Sequence, residues 1–240
     1  MTPRTKEARN KAASNKTPLV IAIVLVVVAI IGIAAVIATR GGDDEPTLAE
    51  GETAPTNPVP DELAGEVRPM TVEGSALPPL PSSGDDTAVG LTAPALVGES
   101  FDGSAVTTAS EGGPVMVVFL AHWCPHCNNE IPRLIELEET GRFPDDLKII
   151  AVSTAARADA PNFPPSEWIV DMGWPWPVMV DDVDTETGIP VGAEAFGVNS
   201  FPFITVVGAD ATVLARWSGE SEPDDFIAKL DAALVSLPAE

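Results

Sequence analysis

Cys124 and Cys127 are the only cysteines in 240 residues, and they sit where an unbroken apolar run gives way to a helical pattern. Residues 114–120 (PVMVVFL) are short, rich in β-branched side chains and free of polar ones, which reads as a strand buried on both faces. Residues 125–139 follow as a helix, with Ile131, Leu134 and Ile135 forming an apolar stripe and Leu137 beside it. Pro125 suits a first helical turn, where its missing N–H has no intrahelical partner, and Pro132 inside the helix predicts a kink. The cysteine pair is therefore carried at a helix start. No third cysteine exists for a structural bridge, so the pair is either redox-active or a metal site. Thiol–disulfide exchange needs one sulfur to attack as a thiolate and a second close enough to resolve the mixed disulfide.

The pattern after the cysteines alternates strands and helices. Residues 147–153 (LKIIAVS) read as a second buried strand, 165–172 as a short helix, 176–180 as a third strand and 188–196 as another short helix. Residues 203–207 and 212–217 flank a Gly-Ala-Asp-Ala turn, a hairpin signal. Residues 223–237 close the chain as an amphipathic helix with Phe226, Ile227, Leu230, Ala233 and Leu234 on one side. This order predicts an α/β sandwich with a mixed central sheet over residues 88–240. No internal repeat and no glycine-rich phosphate loop occurs, so nucleotide chemistry has no support.

Residues 19–38, opening on Leu19 and closing on Ala38, contain no charge and no proline. At ~1.5 Å per residue a helix of twenty residues spans about 30 Å, the thickness of a bilayer's hydrocarbon core. A cleaved signal peptide has a shorter apolar core of roughly 7–15 residues, so a retained transmembrane anchor is expected. Arg4, Lys6, Arg9, Lys11 and Lys16 in the basic tail, residues 1–18, keep the N-terminus cytoplasmic and place the rest outside the cell membrane as a single-pass protein. Residues 39–87 are rich in proline and acid, with Arg68 as the one basic side chain between Gly41 and Thr87. They are expected to be a disordered stalk, with the proline clusters at 58–60 and 78–81 favouring extended segments. Beyond Arg40 the chain carries seven basic side chains against 35 acidic ones. Such a surface repels nucleic acid.

The strand, then Trp123-Cys124-Pro125-His126-Cys127, then a helix with Glu130-Ile131-Pro132, resembles the thioredoxin fold. Residues 88–240 are more closely similar to the TlpA/ResA-like membrane-anchored thioredoxins, which also carry segments like Gly90-Leu-Thr-Ala-Pro94, Phe101-Asp-Gly103 and Phe196-Gly-Val-Asn-Ser-Phe-Pro202. The resemblance implies a three-layer sandwich and a catalytic disulfide between Cys124 and Cys127, without a bound cofactor or metal. It also implies a cis-proline at Pro202 opposite the pair, with the Phe201 backbone and Trp123 beside the substrate. Two positions depart from that pattern. Cys-Pro-His-Cys is the filling of DsbA-like oxidants, and Val118 stands where thioredoxin buries an acid that serves the resolving thiol.

Cys124, at the positive end of a helix dipole, is favoured as the attacking thiolate, and His126 and Pro125 tune it. Stabilising the thiolate stabilises the reduced form and makes the disulfide more oxidising. Cys127 resolves. Glu130 is a candidate proton relay or a solvated helix carboxylate; His122 either tunes the thiolate or is solvated. The expected function is disulfide exchange with cysteine-containing exported proteins, more as an oxidant, recycled by a DsbB- or VKOR-like membrane partner. One alternative is a thiol reductant for cytochrome or copper-protein assembly, fed by another membrane electron carrier. A second is a copper-binding module using His122, Cys124, His126 and Cys127.

Overall fold

A computed structural model describes residues 61–235. In chain order it contains β1 (Thr71–Glu73), β2 (Ala95–Glu99), β3 (Ala105–Thr107), β4 (Val115–Leu120), α1 (Pro125–Glu139), β5 (Lys148–Ser153), α2 (Pro165–Asp171), β6 (Val178–Val180), α3 (Val191–Ala195), β7 (Phe203–Val207), β8 (Val213–Ser218) and α4 (Pro223–Val235). The expected transmembrane span, residues 19–38, and the basic tail before it lie outside the described residues. Among the described residues no helix is long and apolar enough to cross a membrane.

β4 sets the architecture, because every residue of it is buried. Met116, Val118 and Leu120 enter one core, whereas Val115, Val117 and Phe119 enter another. This two-residue period is what a strand covered on both faces requires. The sheet grows outward from it in the order β6-β5-β4-β7-β8, with β5 and β6 parallel to β4, β7 antiparallel to it and β8 antiparallel to β7. The first core takes Ile131, Leu134 and Leu137 of α1, Trp168 and Ile169 of α2, and Phe226, Ile227 and Leu230 of α4. The second takes Leu96 of β2, Met179 of β6, Ala193 and Ala195 of α3, and Leu77 and Ala88 from the segment before β2. The result is the expected three-layer α/β arrangement with a mixed central sheet. α1 matches its expected bounds and runs through Pro132.

A second, antiparallel sheet, β1-β2-β3, was not legible in the sequence. It overturns part of the stalk expectation, since residues 61–87 belong to the domain rather than to a disordered linker. Leu77 is buried and its N–H bonds the Ala195 carbonyl at 2.9 Å; Leu80 N–H reaches the Gly197 carbonyl at 3.2 Å. Glu66 accepts from the Ser166 backbone N–H at 2.8 Å and from its hydroxyl at 2.6 Å, satisfying the start of α2. The proline-rich residues thus run along the domain instead of projecting from it. Gly197 is where they come closest: its φ is +66°, and a Cβ there would collide with the Pro78 carbonyl.

Arg216 on β8 is the clamp. Its buried guanidinium donates to the Asp86 carboxylate at 2.9 and 2.6 Å, and to the Pro78 and Phe196 carbonyls at 2.9 and 2.8 Å. It also lies 5.9 Å from the Phe203 ring centroid. The guanidinium holds the Asp86 carboxyl below its usual range. On the other side of the sheet's second core, Asp181 after β6 plays a comparable part. It accepts from Thr154 Oγ1 at 2.6 Å and from the Gly192 and Ala193 N–H groups at 2.7 and 3.1 Å, tying β5 and β6 to α3. Asp181→Asn, which presents an NH2 to a set of donors, is expected to lower unfolding free energy by about 1–3 kcal/mol in urea titration. An unchanged midpoint would show that these bonds contribute no net stability.

Candidate active site

Cys124 is the N-cap of α1, with extended backbone dihedrals (φ −83°, ψ 118°) that let its carbonyl receive the first helical N–H. The Cys127 and Asn128 N–H groups point to that carbonyl at 3.1 and 3.3 Å. Pro125 takes the first helical position, as expected. Both cysteines are free thiols. Cys124 is 6% exposed and Cys127 not at all, so the outer sulfur is the one a visiting peptide can meet. The Cys124 sulfur also lies 3.5 Å from the Phe201 carbonyl. The Phe201–Pro202 bond is cis, as the resemblance implied.

Trp123 is fixed beside the pair. Its indole N–H donates to the Ala155 carbonyl at 2.8 Å, its ring meets Phe201 edge-on at 5.8 Å, and Arg157 lies 5.5 Å from its centroid. Trp123, Phe201 and Pro202 therefore frame the Cys124 sulfur, which brings the residues expected to contact substrate to one place.

Burial separates the two thiols chemically. It pushes the Cys127 thiol up, and the nearby Cys124 and Glu130 add to that shift. Glu130 is fully buried, against the reading of a solvated helix carboxylate. It lies three residues after Cys127, on the same face of α1. Its Oε2 accepts from the Ser221 N–H at 2.9 Å and lies 3.8 Å from Arg133, whereas Oε1 makes no hydrogen bond among the described residues. Burial raises its carboxyl to about 7, with Ser221 and Arg133 opposing. Val118 packs in the same core as Cys127. A buried carboxyl thus lies on α1 three residues after Cys127, whereas β4 presents Val118 to this core.

The two histidines do other things. His122 is completely buried, so it is neither solvated nor aimed at the thiols. Its Nδ1 lies 2.8 Å from the Pro161 carbonyl and its Nε2 accepts from the Arg157 N–H at 3.1 Å, which fixes the neutral tautomer with the proton on Nδ1. Burial pushes its basicity down accordingly. With Asn162 donating to the His122 carbonyl at 2.8 Å, this residue pins the 155–163 loop, where a second cis bond occurs at Phe163–Pro164. His126 is exposed, and its Nδ1 lies 3.1 Å from Glu220 rather than on a sulfur. The four donors of the alternative copper-binding reading therefore do not converge. Among the described residues no three His, Cys, Asp or Glu side chains are placed to hold an ion.

Sequence reasoning missed the segment after β8. Gly219, Glu220 and Ser221 contact Pro202, His126 and Glu130 in turn, at 2.9, 3.1 and 2.9 Å. No local pattern announces such a role; only the return of β8 to the mouth of the site creates it.

Among solved structures, a thiol:disulfide interchange protein of the thioredoxin family from Chlorobium tepidum TLS is 25% identical (63% of this chain and 99% of that chain, TM-score 0.47). StoA from Bacillus subtilis is 14% identical (60% and 98%, TM-score 0.45). A secreted Mycobacterium tuberculosis disulfide oxidoreductase homologous to E. coli DsbE is 17% identical (57% and 94%, TM-score 0.44). No curated protein matches the chain. Residues 86–213 match the AhpC/TSA family, a span that holds the strand, the cysteine pair, Glu130 and Pro202. The chain belongs to the AhpC/TSA family and is a thioredoxin-like oxidoreductase.

Proposed function

We propose that this protein is a membrane-tethered, extracytoplasmic thiol–disulfide oxidoreductase that exchanges disulfides with cysteine-containing exported proteins. The observation that carries the exchange chemistry is the division of labour in the pair. Cys124 stands at a helix start against the Phe201 carbonyl, and Cys127 is buried behind it beside an acid with a proton affinity near neutrality. In the reducing direction the Cys124 thiolate attacks a substrate disulfide and releases one substrate thiolate. Cys127 then gives its proton to Glu130 and attacks Cys124 sulfur, releasing the second substrate thiolate and leaving the Cys124–Cys127 disulfide. The oxidising direction is the reverse, with Glu130 returning the proton to Cys127 as it leaves. Tethering rests on the apolar run at 19–38 and the basic residues before it.

The direction of flow follows from two competing sets of residues. The Cys-Pro-His-Cys filling favours an oxidant, recycled by a DsbB- or VKOR-like membrane partner. The reductant reading, a donor for cytochrome or copper-protein assembly fed by another membrane electron carrier, is favoured by Glu130 and by the engagement of His126 with Glu220. Glu130 supplies the proton handling that Val118 lacks, and a His126 paired elsewhere does not stabilise the thiolate. The reduction potential separates the two: above about −200 mV the oxidant reading stands, and below about −250 mV the reductant reading does.

Cys127→Ser is expected to trap a mixed disulfide between Cys124 and a disulfide-bearing substrate, visible as a stable adduct on non-reducing gels. Cys124→Ser is expected to form none and to lose exchange activity altogether. Equal trapping by both variants would exclude the assignment of Cys124 as the attacking sulfur.

A further inference from the structure

Gly219, Glu220 and Ser221 form a bracket across the redox centre. The Gly219 N–H donates to the Pro202 carbonyl at 2.9 Å, and its φ of +85° turns the chain so that the next side chain faces α1. Glu220 then meets His126 through Oε1 at 3.1 Å and Arg133 through Oε2 at 3.3 Å. Arg133 also reaches Glu222 at 2.8 Å and the Ser221 carbonyl at 3.3 Å, and Lys229 from α4 donates to Ser221 Oγ at 2.9 Å. Of the charged groups on this face, Arg133, Glu222, Lys229 and the buried Glu130 bond one another or Ser221, and among the described residues Glu220 alone bonds the imidazole. The His126 contact holds the Glu220 carboxyl below its usual range.

We propose that Glu220 is a positioning residue that sets the redox balance of the Cys124–Cys127 pair by holding the His126 imidazole on its own carboxylate and off the Cys124 sulfur. The inference rests on the exchange function proposed above. His126 is the second residue of α1, two residues from Cys124, and its side chain is 59% exposed, so the ring is free to turn about χ1. Its Nδ1 serves one anion at a time. Paired with Glu220 it leaves the thiolate without that donor; released, it has the thiolate in its own helical turn as the next anion. A donor on the thiolate stabilises the dithiol relative to the disulfide, so loss of Glu220 makes the pair more oxidising. A direct effect of the Glu220 charge on the sulfur is screened by water and would persist without the imidazole.

The test equilibrates the full-length chain in glutathione buffers, where one oxidised glutathione and the dithiol give the protein disulfide and two reduced glutathiones. The dithiol fraction is read by alkylation and mass spectrometry. Wild type, Glu220→Gln, His126→Ala and the double variant form a cycle, with Glu220→Asp as the conservative member. Glu220→Gln is expected to shift the equilibrium about tenfold toward dithiol, equivalent to about 30 mV. The same substitution in the His126→Ala background is expected to shift it less than about twofold, and Glu220→Asp to restore most of the wild-type value. No shift, or an equal shift in both backgrounds, overturns the positioning role while leaving the exchange function intact. A wild-type chain that never forms the intramolecular disulfide in these buffers overturns both.

Discussion

Glu130→Gln is expected to slow exchange by about two orders of magnitude while making the reduced protein harder to unfold above pH 7. Both effects have one cause. The carboxyl is buried behind Cys127 with one oxygen unbonded among the described residues, and burial raises it to about 7. A group whose folded affinity for a proton exceeds its unfolded one adds stability at low pH and loses it as pH rises. Here the loss runs from the ordinary carboxylate value near 4.5 to about 7 and is complete above that. Carrying the charged carboxylate at pH 8 then costs up to about 3 kcal/mol. Glutamine keeps an acceptor for the Ser221 N–H and carries no charge, so the variant escapes the cost and also loses the base. Urea unfolding of reduced wild type and variant should therefore agree at pH 4 and diverge at pH 8. The rate of mixed-disulfide resolution should lose its inflection near pH 7. A variant that resolves at the wild-type rate with an unchanged pH profile would remove Glu130 from the proton path.

Arg216→Ala is expected to destabilise the protein by about 3–5 kcal/mol, because it strands the partly buried Asp86 carboxylate and two carbonyls at once. Its guanidinium is what fastens Pro78 and Asp86 to the sheet, through donors at 2.6–2.9 Å. The loss should concentrate in residues 61–87, so hydrogen exchange at the Leu77 and Leu80 amides should accelerate more than at β4 amides. Proteolysis before β2 should accelerate with it. A uniform change across the domain, or a loss under about 1 kcal/mol, would show that the N-terminal segment is held by its packing instead. The active-site residues are not in contact with Arg216, so the folded fraction should retain exchange.

Legibility in the sequence followed the range of the forces involved. The bounds of α1 were readable because a proline-led start, a helical stripe at Ile131, Leu134 and Ile135, and the neighbouring apolar run are all local. β1, β2 and β3 were not, since Ala95–Glu99 lacks strong alternation and its pairing depends on a distant edge. Residues 61–87 misled for the same reason. Their composition is that of a disordered segment, and their order comes from Arg216, Ala195 and Gly197, more than 100 residues away for most contacts.

By itself the sequence determined the chemistry available: two thiols at a helix start, an apolar β–α–β frame to hold them, and no other cysteine to divert them. Those features are local and survive any rearrangement of the rest. Only the tertiary structure decided how each group around the thiols is employed. It buried Glu130 behind Cys127, locked His122 as a neutral loop pin and gave His126 to Glu220. Proton affinity and hydrogen-bond partnership depend on what lies within a few ångströms in space. Along this chain the nearest such neighbours, Pro161, Ser221 and Glu220, come from loops that chain closure alone brings to the site.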